Sequence, residues 1–217
     1  MIKLDLHTHS IISPDGGIDA DQYEALLKEG IIDCVAITDH NETTFAKDLH
    51  NKLGEKVIVG EEIMTRDGEM IGLFLKKTIP SALSAKETLE RIHDQEGLVY
   101  IPHPFEIFRK GIQKEVVLQI ISEVDIFETF NGRGAVRGKT KEAQEFGVEH
   151  GLVGAASSDA HGYYGIGRTF SIINELPTRA TLKKLLQTGN LQKKYAPMMS
   201  YLYPFLNRLN NKLISNN

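Results

Sequence analysis

The stretch Asp5-Leu6-His7-Thr8-His9-Ser10, at the end of the first apolar segment of this 217-residue chain, carries two histidines separated by one residue. Side chains alternate along a strand with a period of two, so His7 and His9 point to the same side. Two imidazoles on one side of a strand can bind one metal ion together. The stretch therefore predicts a strand whose carboxyl end opens a metal site.

Four further segments repeat this arrangement, because each places His, Asp or Glu directly after an apolar run. They are Ile37-Thr38-Asp39-His40, Val59-Gly60-Glu61-Glu62, Tyr100-Ile101-Pro102-His103-Pro104 and Ala156-Ser157-Ser158-Asp159-Ala160-His161. The carboxyl ends of parallel strands meet at one end of a barrel, which is where such folds place their chemistry. We therefore expect all five segments to contribute to one site.

Apolar strand segments alternate with amphipathic helical segments along the chain. The predicted strands are 3–6, 34–38, 57–61, 70–75, 99–101, 126–129, 153–155 and 170–173. The predicted helices are 21–29, 43–53, 85–96, 114–123, 136–150 and 179–187. This α/β order predicts a parallel sheet, and about seven such units favour a closed or nearly closed barrel over an open doubly wound sheet.

The bulk composition is that of an ordinary globular domain, with 41% hydrophobic and 25% charged residues. Because the first strand begins at Ile2, there is no room for a secretory signal before it, and no later stretch approaches the about 20 apolar residues of a membrane span. We therefore expect a cytoplasmic protein. The single cysteine, Cys34, lies in an apolar run and predicts a buried, inert thiol.

Charge divides the chain into an acidic body and a basic tail. From Thr178 onward there are seven basic and no acidic residues, while the rest carries 18 basic and 29 acidic residues. An acidic body favours divalent cations and disfavours a long polyanion such as nucleic acid. We expect a barrel over residues 1–177 and a basic, amphipathic helical extension over 178–217.

The extension has an apolar stripe at helical spacing, formed by Leu202, Phe205, Leu206, Leu209 and Leu213. Such a stripe must be covered. The simplest expectation is a helix packed on its own barrel. A partner protein or an anionic membrane surface is the alternative, because basic amphipathic helices suit both.

The strand ends and their adjoining loops supply more candidate ligands than one ion needs. The candidates are His7, His9, Asp15, His40, Glu62, Glu69, His103, Asp159 and His161. His nitrogens with carboxylate oxygens suit Zn, Mn or Fe, and the number of groups predicts two to three ions that share a bridging carboxylate. Clustered ions of this kind hold a hydroxide between them and clamp the oxygens of a phosphoryl transfer.

One candidate carboxylate has a second interpretation, and two carboxylates next to candidate ligands have a different expected role. Asp15 lies in Ser13-Pro14-Asp15-Gly16-Gly17, where Asp-Gly is also a turn signal. Asp39 and Glu61 neighbour stronger candidates and would face the other way on a strand. We expect these two to orient histidines or backbone groups rather than to bind metal directly.

The five segments resemble, in order, the motifs of the polymerase and histidinol phosphatase (PHP) domain: His-x-His, Thr-Asp-His, Gly-x-Glu, His-Pro and Ser-Asp-Ala-His. The resemblance covers roughly residues 1–177. It implies a distorted seven-stranded (β/α) barrel, similar to a TIM barrel, that binds three divalent metals and hydrolyses phosphoesters.

The resemblance also implies a division of the ligands. One metal would be held by His7, His9, Glu62 and Asp159, and a second by Glu62, as a bridge, with His103. The third would be held by Asp15, His40 and His161. Where many family members place a histidine on the next strand, this chain has Gly68-Glu69-Met70, so Glu69 would replace that histidine and shift the preference towards a harder ion.

The reaction implied by the resemblance is hydrolysis of a small phosphorylated metabolite or a short nucleotide. Glu62, Asp159, His161 and Arg109 are the candidate catalytic residues, and Arg109, Lys110, Arg133 and Arg168 are on loops suited to bind phosphate. Two alternatives stay open. One is a nuclease of the type found in polymerase-associated PHP modules, and the other is an amidohydrolase, whose barrels also begin with His-x-His but often use a bridging lysine where this chain has Glu62.

Overall fold

The computed structural model describes residues 1–215, in which strands and helices alternate for most of the length. The strands are β1 (Ile2–Thr8), β2 (Cys34–Ile37), β3 (Val57–Thr65), β4 (Gly68–Leu73), β5 (Leu98–Ile101), β6 (Ile126–Asn131), β7 (Gly154–Ser157), β8 (Phe170–Ile173) and β9 (Asn190–Gln192). The helices are α1 (Ala20–Lys28), α2 (Thr44–Leu53), α3 (Ala85–His93), α4 (Lys114–Ile120), α5 (Thr140–Glu149), α6 (Leu182–Thr188) and α7 (Tyr203–Ser215).

The strands form one curved sheet in the order β7-β6-β5-β4-β3-β2-β1-β8-β9. At the carboxyl end of β1 the sheet returns on itself, because Thr8 bridges Ala160, and the amide of His9 donates to the carbonyl of Ala160 at 2.9 Å. Seven strands therefore make a nearly closed barrel. The predicted α/β barrel class is confirmed.

The prediction of an all-parallel sheet is wrong at β4. This strand pairs antiparallel with both β3 and β5, because β3 continues past Glu62 to Thr65 and turns back through Arg66 and Asp67. The first residues of β4 consequently lie at the mouth, where the other strands have their carboxyl ends. This reversal places Glu69 beside the other candidate ligands. The strands β8 and β9 also run antiparallel to their neighbours.

Two apolar clusters hold the barrel. One fills its inside and joins strand residues such as Leu4, Ile71 and Tyr100 to Leu182 and Leu186 of α6. The other lies between the strands and the helices α1 to α5, which wrap the outside. Burial of these side chains supplies the main stabilisation of the fold, at about 25 cal/mol for each Å² of apolar surface removed from water.

Helix ends follow the local capping chemistry. Ser84 caps α3 by accepting from the amide of Glu87, whose carboxylate accepts from the Ser84 amide in return, so the two residues form a capping box. The helix predicted from residue 136 begins only at Thr140. The segment before it contains Gly134 and Gly138 and is a turn, in which Arg137 has a φ of 63°.

The C-terminal segment crosses the mouth of the barrel with its polar side inward. Asn207 of α7 donates to the carbonyls of Asp15 and His161, both at 2.9 Å, and Asn211 donates to the carbonyl of Pro14 at 3.1 Å. The predicted stripe lies on the other side. Its five residues are between 47% and 67% exposed, so the barrel does not cover it. Within the described residues no helix is both long and apolar enough to span a membrane.

Candidate metal centre

The mouth of the barrel brings together all nine candidate ligands. Eight of them are buried, and only His40 is partly open, with a side chain 21% exposed. The carboxyl ends of β1, β2, β3, β5 and β7, together with the loops that follow them, contribute most of these side chains. The start of β4 contributes Glu69, and the loop after β1 contributes Asp15.

Glu62 lies at the centre of the site. Its Oε1 is 3.4 Å from His7 Nε2 and 3.0 Å from His103 Nε2. Its Oε2 is 3.3 Å from His9 Nε2 and 3.2 Å from His40 Nδ1. The two oxygens of one carboxylate thus face two different sets of imidazoles, which is the geometry that a bridging ligand requires.

Asp159 closes the side of the site opposite Glu62. Its Oδ1 is 3.7 Å from His7 Nε2 and 3.6 Å from His9 Nε2. The two histidine nitrogens are themselves 3.1 Å apart, which confirms that His7 and His9 face the same side of β1. A donor set of two imidazoles and two carboxylates converges here from three strand ends.

A further group lies towards solvent. The Oδ1 atom of Asp15 is 3.4 Å from His40 Nε2 and 3.6 Å from His161 Nε2. The ring of His9 lies between the rings of His40 and His161, with centroid distances of 4.6 and 4.2 Å. Asp15, His40 and His161 therefore form a separate group of ligands, which adjoins the group of His7, His9, Glu62 and Asp159 through the ring of His9.

Glu69 completes the side of the site near His103. Its Oε2 is 3.6 Å from His103 Nε2, and its Oε1 is 4.0 Å from His40 Nδ1. Burial and the nearby carboxylate of Glu62 raise the pKa of Glu69 to about 7. Bound cations would offset this repulsion, because an opposite charge within a few Å favours the ionised carboxylate.

The central carboxylates are held in their charged form. Burial alone would raise the pKa of Glu62, but His7, His40 and the hydrogen bond with His103 outweigh it and hold the pKa well below its ordinary value. Burial opposes ionisation of Asp159 as well, and the charges of Arg133 and His7 hold its pKa well below the usual range. Both groups are therefore ready to act as anionic ligands.

The donor set fits divalent ions. Four groups of three side chains have potential ligand atoms that all lie within 4.8 Å of one another, and each is compatible with a single ion. These groups are His7, Glu62 and His103; His7, His9 and Asp159; His9, His40 and His161; and His40, Glu62 and Glu69. Among the nine candidate ligands, two buried atoms, Asp15 Oδ1 and His103 Nδ1, have no hydrogen-bond partner. Unsatisfied buried atoms are costly, and for the Asp15 oxygen a cation would remove that cost.

A residue that sequence analysis did not identify, Glu128 of β6, supports the site from behind. Its Oε1 is 3.3 Å from His7 Nδ1 and accepts from the hydroxyl of Tyr100 at 2.7 Å. Its Oε2 accepts from the backbone amide of His103 at 2.5 Å and from Asn131 at 2.8 Å. A carboxylate on the second ring nitrogen directs the first nitrogen towards a metal. The available signal was an acidic residue inside the apolar run of β6.

Asp39 and Glu61 point away from the ligand cluster, as predicted. Asp39 accepts from the amide and hydroxyl of Ser10 at 2.7 and 2.5 Å, and from the hydroxyl of Ser13 at 2.6 Å. The same Ser13 oxygen is 3.2 Å from His9 Nδ1, so Asp39 positions His9 through a serine. Glu61 accepts from the amide of Ile79 at 2.9 Å.

The arginines of the mouth have different surroundings. Arg109 makes a bidentate pair with Glu106 and donates to Asp159 Oδ2 at 2.6 Å, so most of its donors are already used. Arg133 donates to Asp159 Oδ1 at 3.3 Å and lies 3.0 Å from His161 Nδ1. Lys110 also lines the cavity, whereas Arg168 does not.

Backbone strain coincides with two candidate ligands. His103 has a φ of 26° and Asp159 a φ of 53°, both in the left-handed region that non-glycine residues rarely adopt. Such conformations cost roughly 1–3 kcal/mol each and persist only when the surroundings impose them. At His103 the hydrogen bond from its amide to Glu128 is one such constraint, and at Asp159 the amide donates to the carbonyl of His7 at 2.9 Å.

The ligand cluster opens into a cavity of about 500 Å³. Its walls carry seven of the nine candidate ligands together with positive or apolar side chains, among them Phe108, Lys110, Pro204 and Arg208. Two of these residues belong to α7. The basic tail therefore contributes to the wall of the cavity, although all nine candidate ligands come from residues before it.

Solved structures of low sequence identity have the same fold. A two-domain protein of Bacteroides vulgatus that contains a predicted PHP-like metal-dependent phosphoesterase has a TM-score of 0.71 and 18% identity, over 95% of this chain and 69% of that one. An amidohydrolase of Chromobacterium violaceum has a TM-score of 0.57 and 14% identity, over 86% of this chain and 97% of that one. These likenesses define the class of the fold, a PHP-type barrel.

Sequence similarity, unlike the structural likenesses, is high enough to define a family. One relative is an uncharacterised protein of Methanocaldococcus jannaschii, 35% identical over 184 residues that make up 81% of this chain and 72% of the relative. The chain belongs to the family of this archaeal protein. No family model matches the chain.

Proposed function

We propose that this protein is a metal-dependent phosphoesterase that acts on a small phosphorylated metabolite or a short nucleotide. The observation that carries this proposal is the convergence of nine ligand-type side chains in one mouth, with Arg133 and Lys110 on the wall beside them. Metal ligands next to fixed positive charge are what phosphoryl transfer requires, because the transition state spreads negative charge over the phosphoryl oxygens.

We assign the ligands to three ions. The first would be held by His7, His9, Glu62 and Asp159, the second by Glu62, His103 and Glu69, and the third by Asp15, His40 and His161. The distances that support this assignment are those around the two oxygens of Glu62 and around Asp15 Oδ1. The mixed nitrogen and oxygen donors suit Zn, Mn or Fe.

Divalent ions bound here would supply Lewis acidity that polarises a phosphoryl oxygen and lowers the pKa of water. The chain itself contributes position and charge. Arg109 fixes Asp159 from behind, Glu128 fixes His7, and Arg133 adds positive charge where Asp159 and His161 face the cavity. Burial of eight ligands excludes bulk water, and the open side of His40 leaves access for a substrate.

Two alternatives are less well supported. A nuclease that follows a long strand would need an open basic groove, whereas α7 crosses one side of this mouth. An amidohydrolase has the support of a solved neighbour with that activity. Against it, Glu62 occupies the central position where such enzymes often carry a bridging lysine.

The test is hydrolysis of an activated aryl phosphate by purified protein, compared with an aryl phosphodiester and an activated amide at equal concentration. We expect the phosphate to be turned over, the activity to disappear with chelator and to return with Mn. Turnover of the amide alone would transfer the protein to the amidohydrolase class. Preference for the diester would favour a phosphodiesterase or nuclease.

A further inference from the structure

The C-terminal helix α7 extends an arginine into the proposed active site. Arg208 lines the same cavity as the candidate ligands, and its Nη2 donates to Asp15 Oδ2 at 2.5 Å. The other oxygen of the same carboxylate, Oδ1, faces His40 and His161. The carboxylate of Asp15 thus joins the guanidinium to the two histidines of the third group of ligands.

Arg208 is held there by a well-anchored helix. Asn207, its neighbour, donates to the carbonyls of both Asp15 and His161, which tie α7 to the two loops that carry third-group ligands. The ring of Tyr203 packs so closely on Gly162 that an added Cβ would lie 2.6 Å from it. The arginine is therefore placed by the fold and does not reach the cavity from a loose tail.

Arg208 differs from the other two arginines of the cavity in its free donors. Arg109 and Arg133 have side chains only 17% exposed and contact two or more groups each, whereas the Arg208 side chain is 61% exposed and forms one ion pair, with Asp15. A guanidinium has five N–H donors in a planar fork that matches phosphate oxygens. Arg208 lines the cavity and, beyond its ion pair with Asp15, has N–H donors that an anion in the cavity could use.

We propose that Arg208 binds the phosphate group of the substrate and so makes α7 a part of the active site that determines affinity. This inference rests on the proposed phosphoesterase function and adds the residue that recognises the anion. The competing role is purely structural, in which Arg208 only holds Asp15 in place.

The experiment compares Arg208→Gln and Arg208→Lys with Lys193→Gln, a control that removes an exposed basic residue of the same tail away from the cavity lining. Each Mn-loaded protein is titrated with inorganic phosphate by calorimetry, and KM, kcat, metal content and melting temperature are measured. We expect Arg208→Gln to weaken phosphate binding and raise KM about tenfold or more, since hydrogen bonds to charged groups are among the strong ones. The lysine variant should be intermediate because it keeps the charge and loses the fork.

The outcomes separate the two roles. Unchanged metal content and kcat, with weaker phosphate binding, would support the proposal. Lower metal content or a lower melting temperature with normal phosphate affinity would overturn it in favour of the structural role. An equal loss of phosphate affinity in Lys193→Gln would also overturn it, because the effect would then come from the overall positive charge of the tail. If wild-type protein hydrolyses no phosphoester but still binds phosphate through Arg208, the proposed function fails and this inference stands. If Arg208→Gln does not fold, the lysine variant decides.

Discussion

Glu62 and Glu61 are adjacent in sequence and opposite in environment. Glu62 faces four histidines, whereas Glu61 accepts a single hydrogen bond from the amide of Ile79 on the outer side of β3. We expect Glu62→Gln to abolish turnover and lower metal stoichiometry, because the amide is a poor bridging ligand. Glu61→Gln should keep activity within about tenfold, the low end of effects from supporting residues.

Metal analysis and initial rates on the two variants check this prediction, with Glu149→Gln on the surface of α5 as control. Loss of activity in Glu61→Gln with a functional Glu62→Gln would mean that the side-chain alternation assigned to β3 is reversed.

Glu128 is expected to tune metal affinity through His7. Its carboxylate lies against His7 Nδ1 and also accepts from the amide of His103, so it orients two proposed ligands at once. We expect Glu128→Gln to reduce metal affinity about 10-fold to 100-fold. Competition with a fluorescent chelator measures this affinity, and a value equal to that of the wild type would show that His7 does not depend on Glu128.

Glu61 should make stability fall as pH rises. Burial raises the pKa of Glu61 to about 7, against an ordinary value of 4.5, so the folded protein keeps a proton that the unfolded chain releases in that interval. The unfolded state binds fewer protons there, and the free energy of unfolding therefore decreases between these two values. Glu61→Gln should melt at a higher temperature than the wild type near pH 8 and show a smaller difference near pH 5. An equal difference at both pH values would contradict this prediction.

For individual residues, the sequence predicted the side-chain directions that follow from strand alternation and from the order of the motifs. The paired direction of His7 and His9 and the outward direction of Asp39 follow from a period of two. Glu128 was not predicted, because nothing local shows which side of β6 faces His7 from another strand. Nor did any local pattern show that Asp5 accepts from the backbone amides of both His7 and Ser158.

Among the elements, β4 and α7 are the two that sequence patterns described incompletely. A strand of six residues has the same apolar pattern in either direction, so its antiparallel pairing became visible only in the assembled sheet. The stripe of α7 was predicted correctly as a helical pattern. The expectation that this stripe packs on the barrel was wrong. Asn207 and Asn211 donate to carbonyls at the mouth, so the polar side of α7 faces the barrel and the apolar side faces outward.

Removal of the residues after Lys194 tests what α7 contributes. The truncation eliminates the hydrogen bonds from Asn207 and Asn211 and the ion pair with Asp15. We expect a lower melting temperature, with the nine ligand residues still present and metal still bound by the groups around Glu62. A truncated protein as stable as the full chain would show that α7 does not support the mouth.

The truncation after Lys194 also tests what the exposed apolar stripe of α7 binds. The tail after Thr178 carries seven basic and no acidic residues, so two copies facing each other would repel, whereas an anionic membrane would attract. We expect the full chain to co-sediment with anionic vesicles and not with neutral ones, and the truncation with neither. A dimer in solution without vesicle binding would instead assign the stripe to a second copy.

In the whole molecule, a small part of the acidic charge of the body is grouped at one site. Four carboxylates, Asp15, Glu62, Glu69 and Asp159, meet at one mouth with five imidazoles, all within a nearly closed barrel. The sequence indicated both the barrel and the ligand set because repeated strand ends in a parallel arrangement must converge. It did not show the closing of the mouth by the tail, which depends on contacts between residues almost 200 positions apart.

The central claim is that this mouth binds a cluster of metals, and metal stoichiometry tests it most directly. Protein is stripped with chelator, reconstituted separately with Zn, Mn and Fe, freed of loose ions and analysed by mass spectrometry beside Glu62→Gln. We predict between two and three equivalents in the wild type with at least one of these ions, and a lower value in the variant, because nine ligand residues exceed what one ion can use. Less than one equivalent in the reconstituted wild type with all three metals would contradict the account.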